Sequence, residues 1–167
     1  KWAIVDLDNI KSQISFLYDD VMEFTGDLIP VKMGDWGYID RTSRRIIIPC
    51  SYKNVLPFNG EQAAVEQRKK WGVINTKNEK IIKSVYDFIQ PIPGGLYITW
   101  KDEYSDDILS YYSDYFRVIN TEGHLLYFVR KEDYNSNFPY AVFHNHTAIH
   151  EKRKYGLIDI NTGVVVP

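Results

Sequence analysis

Short apolar and β-branched stretches, each soon broken by a polar or turn-forming residue, run the length of the chain. Within them the pattern alternates. In Trp71–Asn75, Trp71, Val73 and Asn75 fall on one face and Gly72 and Ile74 on the other, the period of a β-strand. No stretch holds a convincing 3.6-residue apolar period over ten or more residues. Ile10 to Phe24 comes nearest, with Ile10, Ile14, Leu17, Tyr18 and Val21 on one helical face, and it is assigned to strands with the rest.

The strand pattern repeats. An aromatic followed three residues later by Val or Ile and then by Asp or Asn occurs as Trp2-Ala-Ile-Val5-Asp6, Trp36-Gly-Tyr-Ile39-Asp40, Trp71-Gly-Val-Ile74-Asn75, Phe116-Arg-Val-Ile119-Asn120 and Tyr155-Gly-Leu-Ile158-Asp159. The intervals are 34, 35, 45 and 39 residues, a period near 35 with insertions in the third and fourth copies. Further landmarks keep register: Tyr18 and Tyr52, Phe24 and Phe58, and Gly26 and Gly60 each lie equally far behind their tryptophans. Self-similarity at this period marks a repeat architecture. The repeats run 2–35, 36–70, 71–115 and 116–154, with a half-repeat at 155–167, in one region spanning 1–167.

Each repeat reads as four short strands. The Asp or Asn closing the first segment opens a turn, because its side chain bonds backbone two residues on and tolerates left-handed conformations. An apolar run follows (Ile46-Ile47-Ile48, Ile81-Ile82, Leu125-Leu126-Tyr127, Val164-Val165-Val166), short enough for a buried strand and closed in two cases by Pro49 or Pro167. Tyr52–Val55 and Gln62–Gln67 supply two more strands around Pro57-Phe58-Asn59-Gly60. The expected fold is all-β: a repeat array of short antiparallel strands and hairpins, four units plus a half.

Trp36-Gly37, Trp71-Gly72 and Tyr155-Gly156, followed by the hydrophobic-Ile-Asp/Asn pair, the apolar run, the Tyr, the Phe-x-Gly and an Ala-x-Val-like strand, resemble the WG-repeat family, also called KWG repeats. The resemblance covers essentially the whole chain, with Ala3 and Arg117 standing where the first and fourth copies lack the glycine. It implies a bacterial β-repeat protein used for interaction, with no shared catalytic residues to carry over.

Composition narrows the function. Apolar residues at 44% and charged residues at 25% are globular proportions, outside the signature of disorder. A net charge of -2 leaves no bulk positive field for a phosphate backbone, so nucleic acid is not expected. The apolar runs fall far short of the roughly 20 residues that span a bilayer, so no membrane insertion is expected within the chain. One cysteine, Cys50, excludes an intrachain disulfide framework, and a buried structural thiol is expected there. The chain opens on Lys1 and breaks off at Pro167 after half a repeat, which predicts either a piece of a longer array or terminal strands that pair with the first repeat. Localisation is left open.

Enzyme signatures such as a phosphate loop, a nucleophile elbow, a dinucleotide glycine fingerprint or His-Glu-x-x-His are missing, and the expectation is a non-catalytic module without cofactor. His144, His146 and His150 form the one metal-like grouping, since His-x-His on a strand puts both imidazoles on one face; exposed polar residues in a lengthened hairpin are the simpler reading. The recurrent aromatics are expected to be packing residues between repeats, Trp71 among the most buried, rather than a carbohydrate-stacking ladder. Lys1, Lys69, Lys70, Lys152, Arg153 and Lys154 precede these aromatics and read as solvated turns. The candidate partner site is the insertion of the third repeat. Lys101–Tyr115 carries five acids and one base, a local charge of -4, together with tyrosines, and Trp100 stands just ahead of it. Aromatic anchors in a variable loop suit a protein partner, and the residues expected to touch it are Trp100, Asp102, Glu103, Tyr104, Asp106, Asp107, Tyr111 and Tyr112. Carbohydrate binding at exposed aromatics and a metal-dependent enzyme built on the late histidines are the alternatives.

Overall fold

The alternation predicts strands throughout, and strands are what form. The structure, a computed structural model, describes residues 1–5, 17–92, 94–101, 115–130, 142–143, 146–151, 154–159 and 165–166. Every regular element among them is a β-strand. One four-stranded sheet holds β1 (Asp20–Val21), β2 (Leu28–Met33), β3 (Asp35–Asp40) and β4 (Ile46–Tyr52), and a second holds β5 (Asn54–Val55), β6 (Gln62–Gln67), β7 (Lys70–Asn75) and β8 (Lys80–Tyr86). A third holds β9 (Phe88–Ile92), β10 (Leu96–Trp100), β11 (Tyr115–Ile119) and β12 (Leu125–Arg130), and a fourth β13 (Val142–Phe143), β14 (His146–Glu151), β15 (Lys154–Asp159) and β16 (Val165–Val166). In each sheet strand order follows chain order, an antiparallel meander. Each sheet takes its first two strands from one sequence repeat and its last two from the next, because the aromatic that opens a repeat stands at the start of a third strand.

The chain passes from the first sheet to the second, and from the second to the third, at single residues. Lys53 separates β4 from β5, Asp87 separates β8 from β9, and Asp19 stands at the matching place before β1. Each corner keeps a backbone bond to the sheet it enters. The N–H groups of Asp19, Lys53 and Asp87 donate to the carbonyls of Lys32, Glu66 and Trp100 at 2.8, 3.0 and 2.9 Å. No orphan donor is left at these bends, which is why a one-residue corner suffices.

Turn chemistry follows the sequence closely. The Asp40 carboxylate accepts the N–H of Thr42 and Ser43, Asn75 Oδ1 accepts those of Lys77 and Glu79, and Asn120 Oδ1 accepts those of Glu122 and His124. Three repeats therefore close the hairpin with the same side-chain bond.

The chain divides into two compact units, Lys1–Lys69 with Val73–Lys80, and Lys70–Gly72 with Ile81–Pro167. The first contains two apolar clusters, one built on Trp36, Tyr38, Ile48, Tyr52, Phe58 and Ile74, the other on Tyr18, Ile29, Val31 and Ile39. In the second, Ile92, Leu96, Ile98 and Val118 form a core against Phe88 and Phe116.

Burial corrects three expectations. Trp71 is half-buried, as is Trp100, and Trp2 is 58% exposed; among the repeat aromatics whose burial is described, only Trp36, at 4%, is the filler expected. The filling is done two and three residues later, by Tyr38 and Ile39, Val73 and Ile74, and Val118 and Ile119, all at 1% exposure or less. The aromatic stands at the strand's start beside a corner, whereas these positions lie mid-strand with both faces covered. The apolar runs are not wholly buried either: Ile46, Ile47, Ile81 and Leu125 face outward, whereas Ile48 and Ile82 are buried and Leu126, half-buried, packs on the Ile92–Ile98 core. Finally, Pro49 does not close its strand, since β4 continues to Tyr52.

The glycine explains how it can. Opposite Gly37 the register of β3 and β4 slips: Trp36 pairs with Tyr52, but Tyr38 pairs with Ile48, so β4 bulges there and accommodates a residue without an N–H. A Cβ on Gly37 would lie 2.5 Å from the Ile48 carbonyl oxygen and 2.7 Å from the Cys50 nitrogen, and one on Gly72 would lie 2.6 and 2.8 Å from the matching atoms of Ile82 and Ser84. Where Arg117 replaces the glycine, β11 and β12 pair in register at that point, Arg117 with Phe128. The Trp-Gly pair thus marks a close backbone approach.

Candidate functional site

Three ion pairs recur at the corners. Lys1 Nζ bonds Asp19 Oδ1 at 2.6 Å, Lys53 Nζ bonds Asp35 Oδ1 at 2.8 Å, and Lys70 Nζ bonds Asp87 Oδ1. In each, the residue preceding the repeat's aromatic reaches the corner residue between sheets, and the middle pair has its charges exchanged. Lys1, read as a solvated turn residue, stays largely exposed beside Asp19, whereas Lys70, read the same way, lies in β7 and pairs half-buried with Asp87. The Lys1 ammonium, with the Gly34 N–H beside it, holds the Asp19 carboxyl below its ordinary range.

An open apolar cleft of about 660 Å³ lies in the first compact unit, walled by Trp2, Val21, Met22, Phe24 and Pro57 with Glu23 at its rim. Its size is that of a small ligand site or of a few docked side chains. Trp2 is fixed at the backbone, where its N–H donates to the Tyr18 carbonyl at 2.6 Å and its own carbonyl accepts from Tyr18 at 3.1 Å. Its indole stays open. The floor is anchored from below, as Met22 packs on one apolar cluster and Val21 and Phe24 on the other. Arg41 stands 5.7 Å over the Phe24 ring.

The sequence-derived partner site is reached only at its edge. Trp100 ends β10, half-buried, cross-strand from Phe88. Asp102, Glu103, Tyr104, Asp106, Asp107, Tyr111 and Tyr112 lie outside the described residues, and so does His144. His146 and His150 belong to β14. Cys50 is half-buried, its Sγ 4.0 Å from the Val31 carbonyl, and burial pushes its thiol up. The cleft itself was not read from sequence. Its signal was present, since Trp2 and Phe24 match Trp36 and Phe58 in the repeat, but that equivalence predicts burial, not exposure.

The family profile of the WG containing repeat matches residues 14–35, 36–71 and 71–102, together more than half of the chain. The chain belongs to that repeat family. No curated protein matches it. Among solved structures, Hsv2 of Kluyveromyces lactis (complete loop 6CD) aligns at 12% identity over 90% of this chain, with a TM-score of 0.36. This chain spans 63% of the length of that one. No helix among the described residues is long and apolar enough to cross a membrane.

Proposed function

We propose that this chain is a non-catalytic interaction module that binds a protein partner, with the Trp2–Phe24–Pro57 cleft as its contact face. The observation that carries the reading is a large exposed indole over an apolar floor that two cores hold rigid. Large aromatics at preformed apolar clefts are where binding energy concentrates, because little ordering is left to be done on association. The acidic, tyrosine-bearing insertion at 102–114 is the second candidate contact, on its composition.

Affinity capture with the immobilised chain tests both faces. A bound protein should be lost from Trp2→Ser with the melting temperature unchanged, and retained when 102–114 is replaced by a short glycine-containing turn. The converse pattern transfers the contact to the insertion. Glycan-array binding that disappears with Trp2→Ser, and no retained protein, would replace the protein partner by a carbohydrate.

A further inference from the structure

The connection between β5 and β6 turns on Asn59-Gly60-Glu61-Gln62. Asn59 and Gln62 form a bridge pair, the Asn59 N–H donating to the Gln62 carbonyl at 2.9 Å and the Gln62 N–H returning to the Asn59 carbonyl at 3.4 Å. Gly60 and Glu61 are left as a two-residue loop, and Gly60 takes the left-handed φ of 62° that glycine supplies at the head of such loops. Phe58, just before it, is buried and meets Tyr38 edge-on, whereas Asn59, Gly60 and Glu61 are exposed. Asn59 stands apart from the other asparagines of the described residues. Asn54 donates its amide to Glu66, Asn78 Oδ1 accepts the Tyr52 hydroxyl at 2.6 Å, and Asn75 and Asn120 close hairpins with their side-chain oxygens. The Asn59 amide makes no such bond, and the Gly60 N–H donates to no group among the described residues.

This is the one Asn-Gly pair of the sequence, and a Cβ built on Gly60 would meet nothing within 4 Å, so no side chain shields its nitrogen. We propose that Asn59–Gly60 is a site of spontaneous covalent modification in the folded chain. The Gly60 backbone nitrogen gives up its proton to solvent and attacks Cγ of Asn59. The new N–C bond closes a cyclic imide, and the side-chain nitrogen takes up a proton and leaves as ammonia. Water then opens the imide at either carbonyl: breaking the bond from nitrogen to Cγ gives aspartate, and breaking the bond from nitrogen to the main-chain carbonyl carbon gives isoaspartate, whose backbone runs on through Cγ. One water enters and one ammonia leaves, with no change of oxidation state. Both products add a carboxylate beside Glu61. Aspartate keeps the backbone of the turn, whereas isoaspartate lengthens it by one atom between positions 59 and 60 and moves the carbonyl to which the Gln62 N–H is already only loosely bonded.

Tandem mass spectrometry of the whole folded chain, after prolonged incubation in mildly alkaline buffer, reads the proposal directly. Asn59 should gain the mass of an amide-to-acid exchange and resolve into aspartyl and isoaspartyl isomers, while Asn54, Asn75, Asn78 and Asn120 stay unchanged. Asn59→Gln, whose longer side chain closes such a ring far less readily, should remove the conversion and leave the melting temperature as it was. The separated isoaspartyl form should melt below the native chain, and Asn59→Asp should not. The decisive arm repeats the incubation in denaturant, where Asn59 should convert as well. Conversion confined to the denatured chain overturns the proposal, because the bridge bonds of the turn would then shield the site. So does a folded chain in which one of the four bonded asparagines converts before Asn59.

Discussion

Tyr38 shows how one side chain serves several ends. It is fully buried, its ring meets Phe58 edge-on at 4.8 Å, and its hydroxyl donates to the Leu56 carbonyl at 2.7 Å. Tyr38→Phe should cost about 1–3 kcal/mol by leaving that carbonyl without its donor. Its neighbours three residues behind each repeat aromatic carry more of the core than the aromatics do. Ile74→Ala should therefore cost about 2–5 kcal/mol, and Trp71→Ala, half-buried beside it, distinctly less. Chemical denaturation of the two variants side by side checks the order; a larger loss for Trp71→Ala would return the tryptophan to the centre of the junction. The glycines give a sharper contrast. Gly37→Ala must push apart two backbones and should lose about 1–3 kcal/mol, whereas Gly26→Ala, with nothing within 4 Å of its added methyl, should stay within about 0.5 kcal/mol.

Hairpins and corners decide how the strands assemble. The turn between β6 and β7 places Arg68 and Lys69 at φ of 54° and 62°, left-handed conformations that side chains with a Cβ adopt at a cost. Replacing the pair by Asn-Gly should stabilise by about 1 kcal/mol, because these residues take that turn without strain. The corner ion pairs are individually weak, Lys1–Asp19 and Lys53–Asp35 being exposed and Lys70–Asp87 half-buried, yet their alternating polarity gives them a second use. A repeat displaced by one position would set like charges together at the corner. Lys53→Asp against Asp35 should destabilise, and adding Asp35→Lys should recover the loss to within about 0.5 kcal/mol in a double-mutant cycle. A double variant no better than the sum of its singles would show that the corner charges are independent.

For the molecule as a whole, pH dependence has two edges. Lys1 and the Gly34 N–H hold Asp19 below the usual carboxylate range, and bonds from Ser43 and Thr42 do the same for Asp40. As pH falls through about 4, the unfolded chain takes up these protons before the folded one does, so this stability is present above that pH and lost below it. At the other edge burial pushes Tyr97 up to about 12 and raises Tyr38 and Tyr52 as well. From about pH 10 upward the unfolded chain releases protons that the folded one keeps, and stability falls again. Melting temperatures across pH should show a plateau bounded by both declines, with Asp19→Asn and Asp40→Asn flattening the acid edge. Fold class, repeat period and hairpin turns were legible in the sequence because they depend on local properties: alternation at period two, and an Asp or Asn placed to bond its own turn. The Asn75 turn and the Gln62–Gln67 strand stand where the pattern put them. Burial was not legible, because it depends on which sheet covers which. Trp2 and Trp36 carry one side chain at one repeat position, and only the tertiary structure decided that Trp36 is enclosed by a further layer of apolar residues while Trp2 is left open above its cleft.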